Sequence, residues 1–268
     1  MSYLLDLLLK QFQIEEGELS KYQPITKFLA AAVVHFPRIN KKESDFLNTW
    51  FWNTLLKNRY PGAQNERIAR DYALTKKHLN KEALQIMLKD NTRDFSAISH
   101  SKISDLVLID SYYTSSGQQI YRAMLLLLKS KGAKDFYSGI KPSKGGAKEY
   151  KLEEHHIFPS NSEIGKRILN KYKNHKYNDI LNNISNIALL TKETNNSRIK
   201  AKNPSIYIKS FIEEYKSSNR GLEAFYEIME YQFIDKKMVK YLLNDEFENF
   251  IYARTQLLVK KIDDLCAI

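Results

Sequence analysis

A chain of 268 residues can bury a sizeable core, as one large domain or two modest ones. Its 43% hydrophobic and 27% charged residues fit a soluble globular protein, and no apolar run is long enough to span a bilayer. The single cysteine, Cys266, excludes an internal disulfide or a multi-cysteine zinc site and fits a reducing cytoplasm. The N-terminus is interrupted by Asp6, Lys10, Glu15 and Glu16, which is amphipathic rather than signal-like. The net charge is +11, and residues 129–202 carry most of it, with sixteen Lys and Arg against seven Asp and Glu. A positive field so concentrated suits a polyanion such as nucleic acid, although a solvated basic surface would have the same composition.

The first 130 residues read as helices. Leu4, Leu5, Leu8 and Leu9 recur at helical spacing, as do Ile25, Phe28, Leu29 and Ala32 after Pro24, a residue suited to a first turn. Asn40 can cap a helix carrying Phe46, Trp50 and Leu55, and Pro61-Gly62 breaks the pattern. Two or three more helices follow, ending in the apolar segment 121–128. Gly132, Gly139, Gly145, Gly146 and Pro142 then predict a flexible, basic loop leading into a second unit. After Lys202 the helical period returns. Pro204 opens a helix with Tyr207, Ile208, Phe211 and Ile212, segments 222–233 and 247–265 read as two more, and a shorter helix lies between them.

The chemistry is concentrated between these helical regions, in His155-His156-Ile157-Phe158-Pro159, then Asn186, then Leu189-Leu190-Thr191 and Asn195-Asn196. Phosphodiester hydrolysis needs an activated water and neutralisation of phosphoryl charge. A neutral histidine can take the proton near pH 7, and a divalent cation can meet the charge. Neighbouring side chains on a regular strand face opposite ways, so both histidines reach one site only if the strand ends or bulges there. Pro159 favours such an ending. The separations, 30 positions from His156 to Asn186 and 9 from Asn186 to Asn195, suit a hairpin with an elaborated loop followed by a helix.

These blocks resemble the HNH endonucleases, the His-Me finger or ββα-metal class, and in particular the C-terminal nuclease domain of GmrSD-type restriction and defence proteins. The resemblance rests on His156-Ile157-Phe158-Pro159 preceded by His155, Asn186 before Leu189-Leu190-Thr191, Asn195, and the continuation Arg198, Lys200, Lys202 and Pro204-Ser205-Ile206-Tyr207. It implies an α+β fold, predominantly α-helical, in which a helical scaffold surrounds a small ββα-metal nuclease core. The corresponding division is a helical domain over 1–130, the core over 131–202 and C-terminal helices over 203–268.

The resemblance also implies roles. His156 would be the general base and His155 a metal ligand. Asn186 would open the second strand, hold the loop and orient the base. Asn195, at the start of the finger's helix, would be the other metal-side residue, with Asn196 in its place if the register shifts by one. Arg198, Lys200 and Lys202 would contact phosphate. Such a site leaves open positions of the kind magnesium prefers, while imidazole also suits manganese, nickel or zinc. The expected protein is a cytoplasmic, metal-dependent DNA endonuclease of prokaryotic restriction or antiviral defence, working with a separate NTPase or recognition subunit or domain. The alternative is a non-cleaving nucleic-acid-binding subunit that keeps the finger.

Other residues read as structural. His35, His78 and His100 lack metal-ligand spacing, and His175 suits a solvated loop. Gly117-Gln118-Gln119 lacks the charged flanks of the related restriction signature. Trp50, Phe51, Trp52, Arg59 and Tyr60 could stack on bases, but an aromatic cluster at a helix end is better read as packing.

Overall fold

Helix α1 (Ser2–Phe12) buries Leu8 and Phe12, one turn apart on a single face, while Leu9 is 49% exposed. The computed structural model describes residues 2–56, 59–60, 64–77, 79–89, 115–143, 151–174 and 180–267. Pro61-Gly62, His78, His100, Gly145, Gly146 and His175 lie outside these described residues. The chain divides into two compact units, Met1–Ser96 with Lys260–Ile268, and Ala97–Val259.

The first unit is helical. After a 3₁₀ segment (Glu16–Tyr22), α2 (Gln23–His35) takes Pro24 in its first turn and buries Ile25, Phe28, Leu29 and Ala32, the stripe expected from their spacing. Asn40 accepts from the Glu43 N–H at 3.0 Å while Glu43 accepts from the Asn40 N–H at 2.8 Å, a capping box that starts α3 (Lys41–Leu56). Phe28 stacks on Trp50 and Phe12 on Phe51, and Trp52 is buried with them. Arg59 and Tyr60 are buried too, both bonded to Asp71 of α4 (Gln64–Thr75). The cluster is therefore core. Asn80 caps α5 (Lys81–Leu88) through the Ala83 N–H.

The second unit is built round a hairpin. Helix α6 (Ser115–Lys131) precedes β1 (Leu152–His156), which pairs antiparallel with β2 (Ile187–Thr191), with Glu153 opposite Leu190 and His155 opposite Ala188. Between the strands lies α7 (Glu163–Lys171), capped by Ser162, whose side chain accepts from the Gly165 N–H. Then come α8 (Pro204–Ser217), α9 (Gly221–Glu230), α10 (Lys236–Leu243) and α11 (Phe247–Cys266), whose residues before Lys260 belong to this unit. The class is α+β and predominantly helical. Among the described residues no helix is long and apolar enough to cross a membrane.

Three local expectations are corrected. The described part of the glycine-bearing stretch, through residue 143, is not a loose loop. Ala133, Asp135 and Phe136 are buried, and Asp135 accepts six hydrogen bonds from Tyr137, Ser138, Thr191 and Thr194. Asn186 closes a 3₁₀ turn (Ile184–Asn186) one residue before β2 rather than opening the strand, because its side chain is tied to the backbone of Leu181 and Phe158. Asn195 is the second residue of a π-helical turn (Thr194–Ile199) instead of lying in an α-helix. The Lys200 N–H reaches the Asn195 carbonyl five residues back, at 2.9 Å.

Candidate functional site

β1 ends at the two histidines. Beyond them the Ile157 N–H donates to the Asn186 carbonyl at 2.7 Å, and the Phe158 N–H donates to the Asn186 side chain at 2.9 Å. Asn186 in turn donates to the carbonyls of Leu181 (2.8 Å) and Phe158 (3.3 Å), so one buried carboxamide holds the chain leaving β1 to the chain entering β2. The Tyr207 hydroxyl of α8 fixes the Ile157 carbonyl at 2.7 Å. Pro159 turns the chain away, and its carbonyl accepts from the Ser162 N–H and hydroxyl. A Cβ on Gly165 would fall 2.0 Å from that carbonyl oxygen, so the first turn of α7 sits this close only because residue 165 is glycine.

With the chain bent there, both histidines line one cavity of about 320 Å³, together with Glu154, Pro159, Ser160, Asn161, Asn195, Asn196, Lys200 and Ala201. Their environments differ. His155 is buried, and its Nε2 has no hydrogen-bond partner. Burial pushes its pKa down to about 4; the Asn195 side chain opposes that shift, the neighbouring His156 adds to it, and Asp135 opposes it. His155 is therefore neutral at pH 7, with a lone pair to give. His156 is half-buried, and its Nε2 lies 2.8 Å from the Oδ1 of Asn182.

Asn195 comes from the π-helical turn. Its Nδ2 donates at 2.7 Å to Oε2 of Glu153, which is two residues before His155 and so on the same face of β1. That bond places the Asn195 carboxamide against the buried imidazole. Asn196 borders the same cavity but is exposed. Glu154, on the cavity rim, accepts from the Tyr121 hydroxyl of α6 at 2.8 Å.

The three cations separate. Lys200 lines the cavity from a left-handed backbone position (φ 54°). Arg198 lies on the Tyr137 ring, 4.1 Å from its centroid, donates to the Tyr137 hydroxyl at 2.7 Å, and sits 3.9 Å from Glu214. Lys202 is exposed and donates to the Arg198 carbonyl. The structure thus brings together His155, His156, Asn195, Asn196 and Lys200, puts Asn186 behind them as a clamp, and leaves Arg198 and Lys202 on the surface of the turn.

Sequence reasoning missed Asn182, Glu153, Asp135, Gln232 and Arg254. The Gln232 side chain accepts from the Leu189 N–H (3.2 Å) and donates to the Leu189 carbonyl (2.6 Å), satisfying β2 where a third strand would. Arg254 is buried and donates to the carbonyls of Ser185, Ile187 and Gln232. Burial lowers its pKa to about 9, which leaves it a cation at neutral pH.

A divalent ion would find in His155, which lines the cavity, a neutral, buried imidazole whose Nε2 has no hydrogen-bond partner, with the Asn195 carboxamide beside it, so these residues fit such a group. Among the described residues no group of three or more His, Cys, Asp and Glu could hold a metal, so protein ligands here would be few and partly amide.

No family model matches the chain, and no solved structure matches it. It is similar to an uncharacterized protein, MJ0686, of Methanocaldococcus jannaschii, at 27% identity over 276 aligned positions that cover 95% of this chain and 43% of that protein. The chain spans less than half the length of this curated relative.

Proposed function

We propose that the chain is a metal-dependent DNA endonuclease of the HNH, His-Me finger class, with residues 131–202 as a ββα-metal core in a helical scaffold. The observation that carries this reading is the convergence of His155, His156, Asn195 and Lys200 on one cavity where a two-stranded antiparallel sheet meets a helical turn. In this reading His156 takes a proton from water as the water oxygen bonds to phosphorus. The bond to the departing sugar oxygen then breaks, and that oxygen is protonated from solvent. A divalent cation, Mg2+ first and Mn2+, Ni2+ or Zn2+ as alternatives, would be held by His155 and Asn195 and would supply charge neutralisation at the phosphoryl group. Lys200 places a further positive charge at the cavity. By the same resemblance the cut serves restriction or antiviral defence in the cytoplasm, beside an NTPase or recognition partner.

The test is a supercoiled-plasmid assay with Mg2+, Mn2+ or EDTA. Nicking that needs the metal and falls by about a thousandfold in His156→Ala, with the melting temperature unchanged, is the expected result. Binding of DNA without cleavage under any metal would establish the rival reading, a finger kept for nucleic-acid binding alone.

A further inference from the structure

We infer that Asn182 is the residue that positions His156, holding its ring in the tautomer a general base requires. This rests on the nuclease reading for its purpose, but the geometry behind it stands by itself. A carboxamide oxygen can only accept, so the 2.8 Å contact between His156 Nε2 and Asn182 Oδ1 requires the proton on Nε2. A neutral imidazole carries one N–H. With that proton on Nε2, Nδ1 keeps its lone pair and is the nitrogen able to receive a proton from water. Without an acceptor at Asn182 the two tautomers would interconvert, and one of them points an N–H where a base is needed.

The support behind Asn182 is local and rigid. Asn182 ends a 3₁₀ turn (Ile180–Asn182) in which Ile180 and Leu181 are both buried. The Leu181 carbonyl, adjacent to Asn182, is gripped by Asn186 Nδ2 at 2.8 Å. The same Asn186 side chain binds both backbone groups of Phe158, two residues after His156. One buried amide therefore fixes the backbone on both sides of the contact. The motif asparagine, Asn186, acts on the base at one remove, and Asn182 is the side chain that touches it. Asn183 completes the turn by accepting from the Ser185 N–H at 2.8 Å.

The experiment is nitrogen-15 NMR of the histidine rings in the full chain at alkaline pH, combined with steady-state cleavage. In the wild type the His156 signals should be those of a single Nε2–H tautomer. In Asn182→Ala they should move to a mixture, while kcat falls about 10- to 100-fold and KM for DNA is unchanged. Asn182→Asp, which keeps an accepting oxygen in place, should restore the Nε2–H signature. A merely structural role for Asn182 would leave the tautomer signals alone. A wild-type mixture of tautomers, or an Asn182→Ala protein with wild-type signals, overturns the inference. If the wild type has the single tautomer but cuts no DNA with any metal, the nuclease reading falls and the positioning of His156 by Asn182 stands.

Discussion

Asp135 and His155 are both polar side chains buried beside the same two-stranded sheet, and they end up in opposite states. Asp135, on the β2 side, accepts six hydrogen bonds and ties Thr191 and Thr194 to residues 137–138. Gln232 and Arg254 complete that side, adding side-chain hydrogen bonds to Leu189 and to the Ile187 carbonyl beside the backbone pairing of β2 with β1. His155, at the end of β1, lines the cavity and keeps a buried ring nitrogen with no hydrogen-bond partner. An unpaired buried polar atom costs free energy, and in the proposed site a ligand would offset that cost. The closed side holds strand and turn in place, and the open side is where the proposed chemistry would lie.

The largest effect should come from opening the closed side. Asp135→Ala would strand the Thr191 N–H and the Thr191 and Thr194 hydroxyls in the interior and loosen both residues. A loss of about 3 kcal/mol or more in unfolding free energy is expected, measured by urea denaturation. An Asp135→Ala protein as stable as the wild type would remove the distinction between a structural side and an open one.

How these two sides could be read from sequence differs in an instructive way. The helices announced themselves through local rules. Asn40 with Glu43, Pro24 and Pro204 mark starts, and the Ile25-Phe28-Leu29-Ala32 stripe marks a face. The open side was legible as well, because the histidines, Asn195 and Lys200 lie in two short blocks of recognisable residue types. The closed side was not. Asp135 reaches 56 positions to Thr191 and Gln232 reaches 43 to Leu189, with no periodicity to reveal either. Asn182 and Glu153 were obscured for another reason: each lies next to more conspicuous residues of its own kind, and only the bend after His156 and the width of the π-helical turn decide which side chain arrives. Helix α7, nine residues long, is too short for its period to stand out inside the loop.

A second prediction tests the open side from behind. Glu153 is the acceptor that holds the Asn195 amide beside His155. Glu153→Ala should weaken Mn2+ binding about tenfold by titration calorimetry, whereas Glu153→Gln, which keeps a side-chain oxygen acceptor, should lose much less. Unchanged affinity in Glu153→Ala would mean that Asn195 is placed by the π-helical turn alone.

The smallest effect is the most discriminating, because its two readouts should move in opposite directions. Lys200 has φ 54° and ψ −124°, and the Lys202 N–H returns to the Ile199 carbonyl at 3.1 Å, so residues 199–202 form a tight turn with lysine at the position where glycine is normal. A side chain there costs about 1 kcal/mol or more. Its own packing does not offset that, since Lys200 is exposed at the cavity. Lys200→Gly should therefore raise the unfolding free energy by about 1 kcal/mol, while plasmid nicking falls about tenfold through the loss of a cation beside the proposed phosphoryl site. Lys200→Ala separates the terms: it keeps the backbone strain and loses the charge, so nicking should fall as in the glycine variant with no gain in stability. Were Lys200→Gly to gain stability and keep full activity, the strain at residue 200 would have no functional counterpart, and the cation at the cavity would belong to the surface with Arg198 and Lys202.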